Sequence, residues 1–257
     1  MPDDQTDYRE AFRLRAPDAA AADKADRTHV YRPDGTVRVV CRTDTKGTPM
    51  PPEDSMFEIR VDTHSGFVPL WAQGVTLRWR FEAQSLTGFA DPDKAKQGFR
   101  NLFAQALAGW GDAAPIRFVE QYDAYDFEVV LLDKPDCDDS GCVLAASFFP
   151  DGGQHQFLVY PTFYEQVLNE QVETLEHELG HIFGLRPWFA NISETAWPSA
   201  LFGTDSKFSI MNYNAESMMV DADRNDLKRL YQTAWSGALT QINGTPIRFM
   251  RPFSANA

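Results

Sequence analysis

Cysteine is scarce. Cys41, Cys137 and Cys142 are the three in 257 residues, too few for the disulfide framework that holds small secreted domains, and by default they suit a reducing compartment. Basic residues are outnumbered: Lys and Arg total 24 against 37 Asp and Glu, a net charge of −13. No nucleic-acid partner is expected, because such binding rests on neutralising phosphates. Apolar runs are short, and none approaches the roughly 18 residues of a membrane span, so no membrane insertion is expected. The opening stretch, MPDDQTDYREAF, carries acids and nothing of signal-peptide character, which makes a cytoplasmic location the default expectation. Histidine is nearly as rare as cysteine, with five. What remains is 43% hydrophobic and 24% charged, the profile of a globular chain with enough length for a substantial core.

Residues 1–74 read as a partly irregular N-terminal extension. Arg32-Pro33-Asp34-Gly35 is a turn signature, Thr36–Val40 a short strand, and Gly47–Pro52 a linker rich in proline. From Val75 the pattern tightens. Val75–Phe81 alternates apolar and polar residues as a half-buried strand does. Phe99, Leu102, Phe103, Ala106, Leu107 and Trp110 recur at helical spacing over Lys94–Trp110, and Gly111 stops that helix. Strands are expected at Ile116–Val119, Phe127–Leu132, Val143–Phe149 and Phe157–Tyr160, and helices at Glu165–Leu185 and Asp221–Tyr231, the latter capped by Asp221. Residues 236–257 form a tail with a hairpin about Asn243-Gly244, where Pro246 favours an edge. The class is α+β: one domain over residues 75–235 with an extension at each end. Cys137 and Cys142 flank a tight turn and either pair or stay thiols. Cys41 reads as a buried strand thiol. Asn191-Ile192-Ser193 and Asn243-Gly244-Thr245 are sequons without a signal peptide to use them.

Two of the five histidines fall in one pentapeptide, His177-Glu178-Leu179-Gly180-His181. Positions i and i+4 lie on one face of a helix, one turn apart, so both imidazoles can reach one cation. Glu178 is turned about 100° from His177, placed to act as a base beside a metal-bound water. Leu168, Val172, Leu175, Leu179 and Ile182 form an apolar stripe. With that face on a sheet, the opposite face, carrying Glu170, Thr174, His177 and His181, is expected to open on a cleft. Gly184 ends the helix three residues after the second histidine and allows a sharp turn. Ser209-Ile210-Met211-Asn212-Tyr213 follows about thirty residues on.

Together these stretches resemble the metzincin zinc endopeptidases, in which H-E-x-x-H-x-x-G-x-x-(H or D) precedes a Met-containing turn. Cys142–Pro150 resembles the antiparallel edge strand of the matrixin branch, which lines the substrate cleft. The resemblance implies a metzincin catalytic domain: a twisted mixed five-stranded sheet, a long active-site helix and a C-terminal helix. It implies one catalytic zinc held by His177 and His181, with Met211 as the floor beneath it. Glu178 would activate the zinc-bound water and pass its proton to the leaving amine. Tyr213 resembles the tyrosine that astacins and serralysins use to stabilise the oxyanion. The implied substrate is a peptide or protein.

Two positions depart from the pattern. Pro187 occupies the third zinc-ligand position and has no side-chain donor, so it cannot ligate. Glu194, Asp205 and His155 are the candidate substitutes. Ala146 stands where matrixins place a histidine for a structural zinc, and no structural zinc is expected. Two functions follow: a zinc-dependent endopeptidase, or a catalytically impaired pseudoprotease that keeps the cleft as a module for binding protein or peptide.

Overall fold

A computed structural model describes residues 8–15, 39–40, 59–62, 66–138, 141–186, 199–202, 209–212 and 217–255. The first elements are strands β1 (Val39–Val40), β2 (Ile59–Asp62), β3 (Val68–Trp71) and β4 (Thr76–Phe81), then helix α1 (Pro92–Trp110). Strands β5 (Arg117–Glu120), β6 (Phe127–Leu131), β7 (Cys137–Asp138), β8 (Gly141–Val143), β9 (Ala145–Ala146) and β10 (His155–Val159) follow. Helices α2 (Pro161–Tyr164) and α3 (Leu168–Ile182) lead to strands β11 (Leu185–Arg186) and β12 (Ser199–Phe202). Helix α4 (Asp221–Trp235) and the hairpin β13 (Gln241–Ile242) and β14 (Thr245–Met250) close the chain. This is an α+β fold.

The main sheet has five strands in the order β5-β4-β6-β10-β9. Strands β4, β5, β6 and β10 run parallel, and β9 is an antiparallel edge, Ala146 opposite Leu158. The parallel strands need crossovers, and α1 supplies the one between β4 and β5. In β4 the buried residues alternate as Leu77, Trp79 and Phe81. That face meets α1 through an aromatic core, with Trp79 5.7 Å from Phe103 and Phe99 5.9 Å from Phe157 by ring centroid. Rings of this size dominate core energetics, each adding about 1.5–3 kcal/mol on burial.

The stretch expected as one strand over Val143–Phe149 divides at Leu144. Its first part, β8, pairs with β7 and β1, and its second, β9, joins the main sheet. Cys137 and Cys142, opposite each other across β7 and β8, form a disulfide. Of the two readings open in the sequence, the paired one holds.

Helix boundaries shift for local reasons. The expected Glu165–Leu185 helix starts at Leu168, because Val167 is extended (ψ 157°), and Pro161 opens the separate short turn α2. It ends at Ile182, where Gly184 turns the chain with φ +91°. A Cβ on Gly184 would also stand 3.2 Å from the Pro69 carbonyl oxygen. The cap of α4 is Val220 rather than Asp221, and the Asp223 carboxylate accepts from the Val220 N–H at 3.1 Å. At the hairpin, Asn243 and Gly244 both adopt positive φ, 48° and 82°, as a tight two-residue turn requires. Strand β14 is central in its sheet, between β13 and β3. Pro246 is tolerated there because pairing with β3 begins one residue later, at Ile247 opposite Val68.

Segments before Val75 are built into this frame. Phe12 packs on Tyr164 at 4.9 Å, and Val68, Leu70 and Trp71 are fully buried. The Trp71 indole donates to the Ile182 carbonyl at 2.7 Å, and the Tyr231 hydroxyl to the Phe183 carbonyl at 3.0 Å. Both satisfy carbonyls that the end of α3 leaves without helical partners. Strand β2 lies between β11 and β12, with Val61 opposite Leu185. Cys41, Pro187, the Asn191 sequon, Glu194, Asp205 and Tyr213 lie outside the described residues.

Candidate metal centre

Helix α3 carries His177, Glu178 and His181, and its polar face is covered, where the amphipathic pattern predicts an open one. The three side chains are 6%, 2% and 0% exposed. Other segments close over them because the chain reverses at Gly184 and returns at Ile210 and Met211, both buried.

Each imidazole is oriented by a backbone carbonyl. His177 Nδ1 lies 2.9 Å from the Ile210 oxygen, and His181 Nδ1 lies 2.9 Å from the Leu185 oxygen. A carbonyl only accepts, so each Nδ1 carries the proton and each Nε2 presents a lone pair. The two Nε2 atoms face each other at 3.0 Å. Two lone pairs meeting at that distance repel unless a proton or cation lies between them. Burial opposes the proton: it pushes the His181 pKa down to about 3, the Leu185 hydrogen bond acts against the shift, and the Arg186 charge adds to it. Neutral imidazole is the form that ligates a metal.

The donor set fits a zinc ion. Two imidazole nitrogens at 2.0–2.1 Å from one tetrahedral zinc stand about 3.3 Å apart, close to the separation found. The ligand atoms of His177, Glu178 and His181 lie within 4.8 Å of one another, the metal-competent cluster among the described residues. The arrangement can present two nitrogen donors and one carboxylate to a cation and a water.

Met211 packs against the helix between the two histidines. A Cβ on Gly180 would stand 2.3 Å from Met211 Sδ and 3.5 Å from the Trp110 ring, so Gly180 is what admits the thioether. On the sheet side, the Ser147 hydroxyl donates to the Glu178 carbonyl at 2.9 Å and ties α3 to the edge strand. Phe149 meets His181 edge-on at 5.4 Å, and the buried Arg186 guanidinium stands 4.9 Å from the same Phe149 ring.

His155 is placed elsewhere. It stacks on Phe148 at 4.2 Å and lies 2.7 Å from the Asp151 carboxylate, in the wall of a cavity of about 420 Å³ that Tyr125, Glu128 and Gln154 also line. It is not part of the cluster. Sequence reasoning missed the Ile210 and Leu185 carbonyls, Ser147 and Arg186. Backbone acceptors leave no residue-type signal, and a single arginine before a proline carries no spacing that marks it as buried.

No family model and no curated protein matches the chain. Among solved structures it is similar to high choriolytic enzyme 1, a hatching enzyme zinc-protease from the medaka fish Oryzias latipes. Identity is 14% and the TM-score 0.36, over 63% of this chain and 94% of that one. Similarity at that level fixes no residue role, which leaves the paired imidazoles as the feature that defines the site.

Proposed function

We propose that the chain is a zinc-dependent endopeptidase of metzincin type. One observation carries the reading: His177 and His181 turn deprotonated Nε2 atoms toward a common point, 3.0 Å apart, beside a buried carboxylate. His177 and His181 would hold the ion through those atoms. Bound zinc would supply a Lewis acid for the peptide carbonyl and make a water acidic near neutral pH. Glu178 accepts one proton from the attacking water as oxygen bonds to the carbonyl carbon. It then delivers that proton to the amide nitrogen, which leaves as the amine. Tyr213 would donate to the carbonyl oxygen as negative charge develops there. Met211 forms the apolar floor, and an extended peptide or protein substrate would pair with the antiparallel edge β9 only once the cover over its buried residues, Ala145 and Ala146, is displaced. The test is hydrolysis of a mixed peptide library by the zinc-loaded full chain, with Glu178→Ala as control. Cleavage that depends on Glu178 supports the reading, and no cleavage by a zinc-loaded parent removes it.

Burial of all three side chains favours a second reading. A pseudoprotease with the same frame would bind peptide without turnover, and Pro187 at the third ligand position agrees with it. Peptide binding without cleavage, equal in parent and Glu178→Ala, would select that reading.

A further inference from the structure

We infer that Asp223, on the C-terminal helix, is a positioning residue for the ligand His177. Asp223 is 2% exposed, yet no lysine or arginine forms an ion pair with it among the described residues. Instead its carboxylate collects hydrogen bonds from the turn that carries Met211. Oδ1 accepts from the Ser209 hydroxyl at 2.6 Å, and Oδ2 accepts from the Ile210 N–H and the Val220 N–H, each at 3.1 Å. Ser209 Oγ in turn accepts from the Met211 N–H at 3.1 Å. The peptide group on the other side of Ile210 supplies the carbonyl that takes the His177 Nδ1 proton at 2.9 Å. One residue, Ile210, thus donates to Asp223 and accepts from His177.

The consequence is specific to one ligand. His181 is oriented by the Leu185 carbonyl, whose strand is fixed by pairing with β2, and Asp223 has no part in that contact. Partners of this kind fix the tautomer and ring orientation of a ligating histidine, and their loss typically lowers metal affinity about 10–100-fold. Asp223→Ala should therefore free the Ile210 carbonyl to move and let His177 exchange tautomers, while His181 keeps its own. Asp223→Asn should restore much of the parent behaviour: its oxygen can accept from both backbone N–H groups, and its amide can donate to Ser209 Oγ.

The inference rests on the metal-site reading for its purpose but not for its test. In the metal-free full chain, the ring-nitrogen NMR shifts of His177 and His181 report their tautomers. The expected result is a shift toward a tautomer mixture for His177 alone in Asp223→Ala, reversed in Asp223→Asn. Zinc affinity, measured by chelator competition, should fall about 10–100-fold in the alanine variant and recover in the asparagine variant. If Asp223→Ala does not fold, Ser209→Ala removes the bond to Asp223 Oδ1 and the one from the Met211 N–H but leaves Asp223 holding the Ile210 N–H, and should give a smaller change in the same direction. Unchanged His177 shifts in a folded variant, or equal changes in both histidines, would overturn the assignment. A parent that binds no zinc would sink the peptidase reading and leave the NMR result to decide on Asp223.

Discussion

His177 Nε2 and His181 Nε2 stand 3.0 Å apart, while the Nδ1 of each is committed to a backbone carbonyl. Helical geometry alone brings residues i and i+4 to one face, but it leaves the rings free to rotate. The two carbonyls remove that freedom, and they come from different parts of the chain. Ile210 lies in the turn before α4, and Leu185 pairs with a strand from the N-terminal region. The site is therefore a property of the whole fold.

Glu178→Ala should fold as the parent does and keep its zinc, since the histidines are untouched. Turnover of any cleaved peptide should fall about 10²–10⁴-fold, the usual contribution of a general base. Steady-state kinetics beside metal analysis of the same preparation separates loss of the base from loss of the ion.

Gly180→Ala should disturb the Met211 packing, because the new methyl would stand 2.3 Å from Sδ. Overpacking of this kind costs about 1–3 kcal/mol. Denaturant melts give the stability change, and zinc competition shows whether the turn that carries Ile210 has moved with it.

Two carboxyls should make stability fall as pH rises from about 4.5 to about 7, against the opposite slope that the depressed His181 contributes up to its ordinary value of 6.5. Burial raises the carboxyls of Glu173 and Glu176 to about 7, with the neighbouring acids adding to both shifts. The folded chain thus holds protons that the unfolded chain releases near the ordinary value of 4.5. At these two carboxyls the folded state binds more protons across that window, so their contribution is complete below it and lost through it. For Glu176, packed against Gly109, the effect is on the order of 2 kcal/mol; for the more exposed Glu173 it is smaller. Glu176→Gln should flatten the profile measured by urea melts at pH 5 and pH 8, and should be the more stable form at pH 8.

Much of this was legible in the sequence, and the failures have physical reasons. Alternation in β4, helical spacing in α1, and the turn at Asn243-Gly244 are local signals, and each element formed where its pattern lies. His177, Glu178 and His181 converge because a helix fixes their spacing. The division of Val143–Phe149 was hidden, because an unbroken apolar run does not show where a strand changes sheets. The covered face of α3 was hidden too: periodicity tells which residues share a side, not which distant segment will lie on it. The sequence points to Asp221 as the cap, but Asp223 reaches the Val220 N–H, a choice set by three-dimensional partners at Ser209 and Ile210.

Pro187→His should raise zinc affinity, because it supplies a third imidazole where the resemblance places one. Proline also restricts its own φ and the residue before it, so the loop must settle anew and the gain is smaller than a native ligand gives. Chelator competition on parent and variant reads it directly. Equal affinities, both weak, would mean that the chain after Arg186 does not return to the metal.

The most direct measurement is the metal content of the full chain, purified without added zinc and then titrated with it, for the parent, His177→Ala and His181→Ala. Facing Nε2 lone pairs predict one zinc per parent chain, with either alanine variant losing it while remaining folded. A parent that takes up no zinc, or one whose zinc survives both substitutions, would contradict the account.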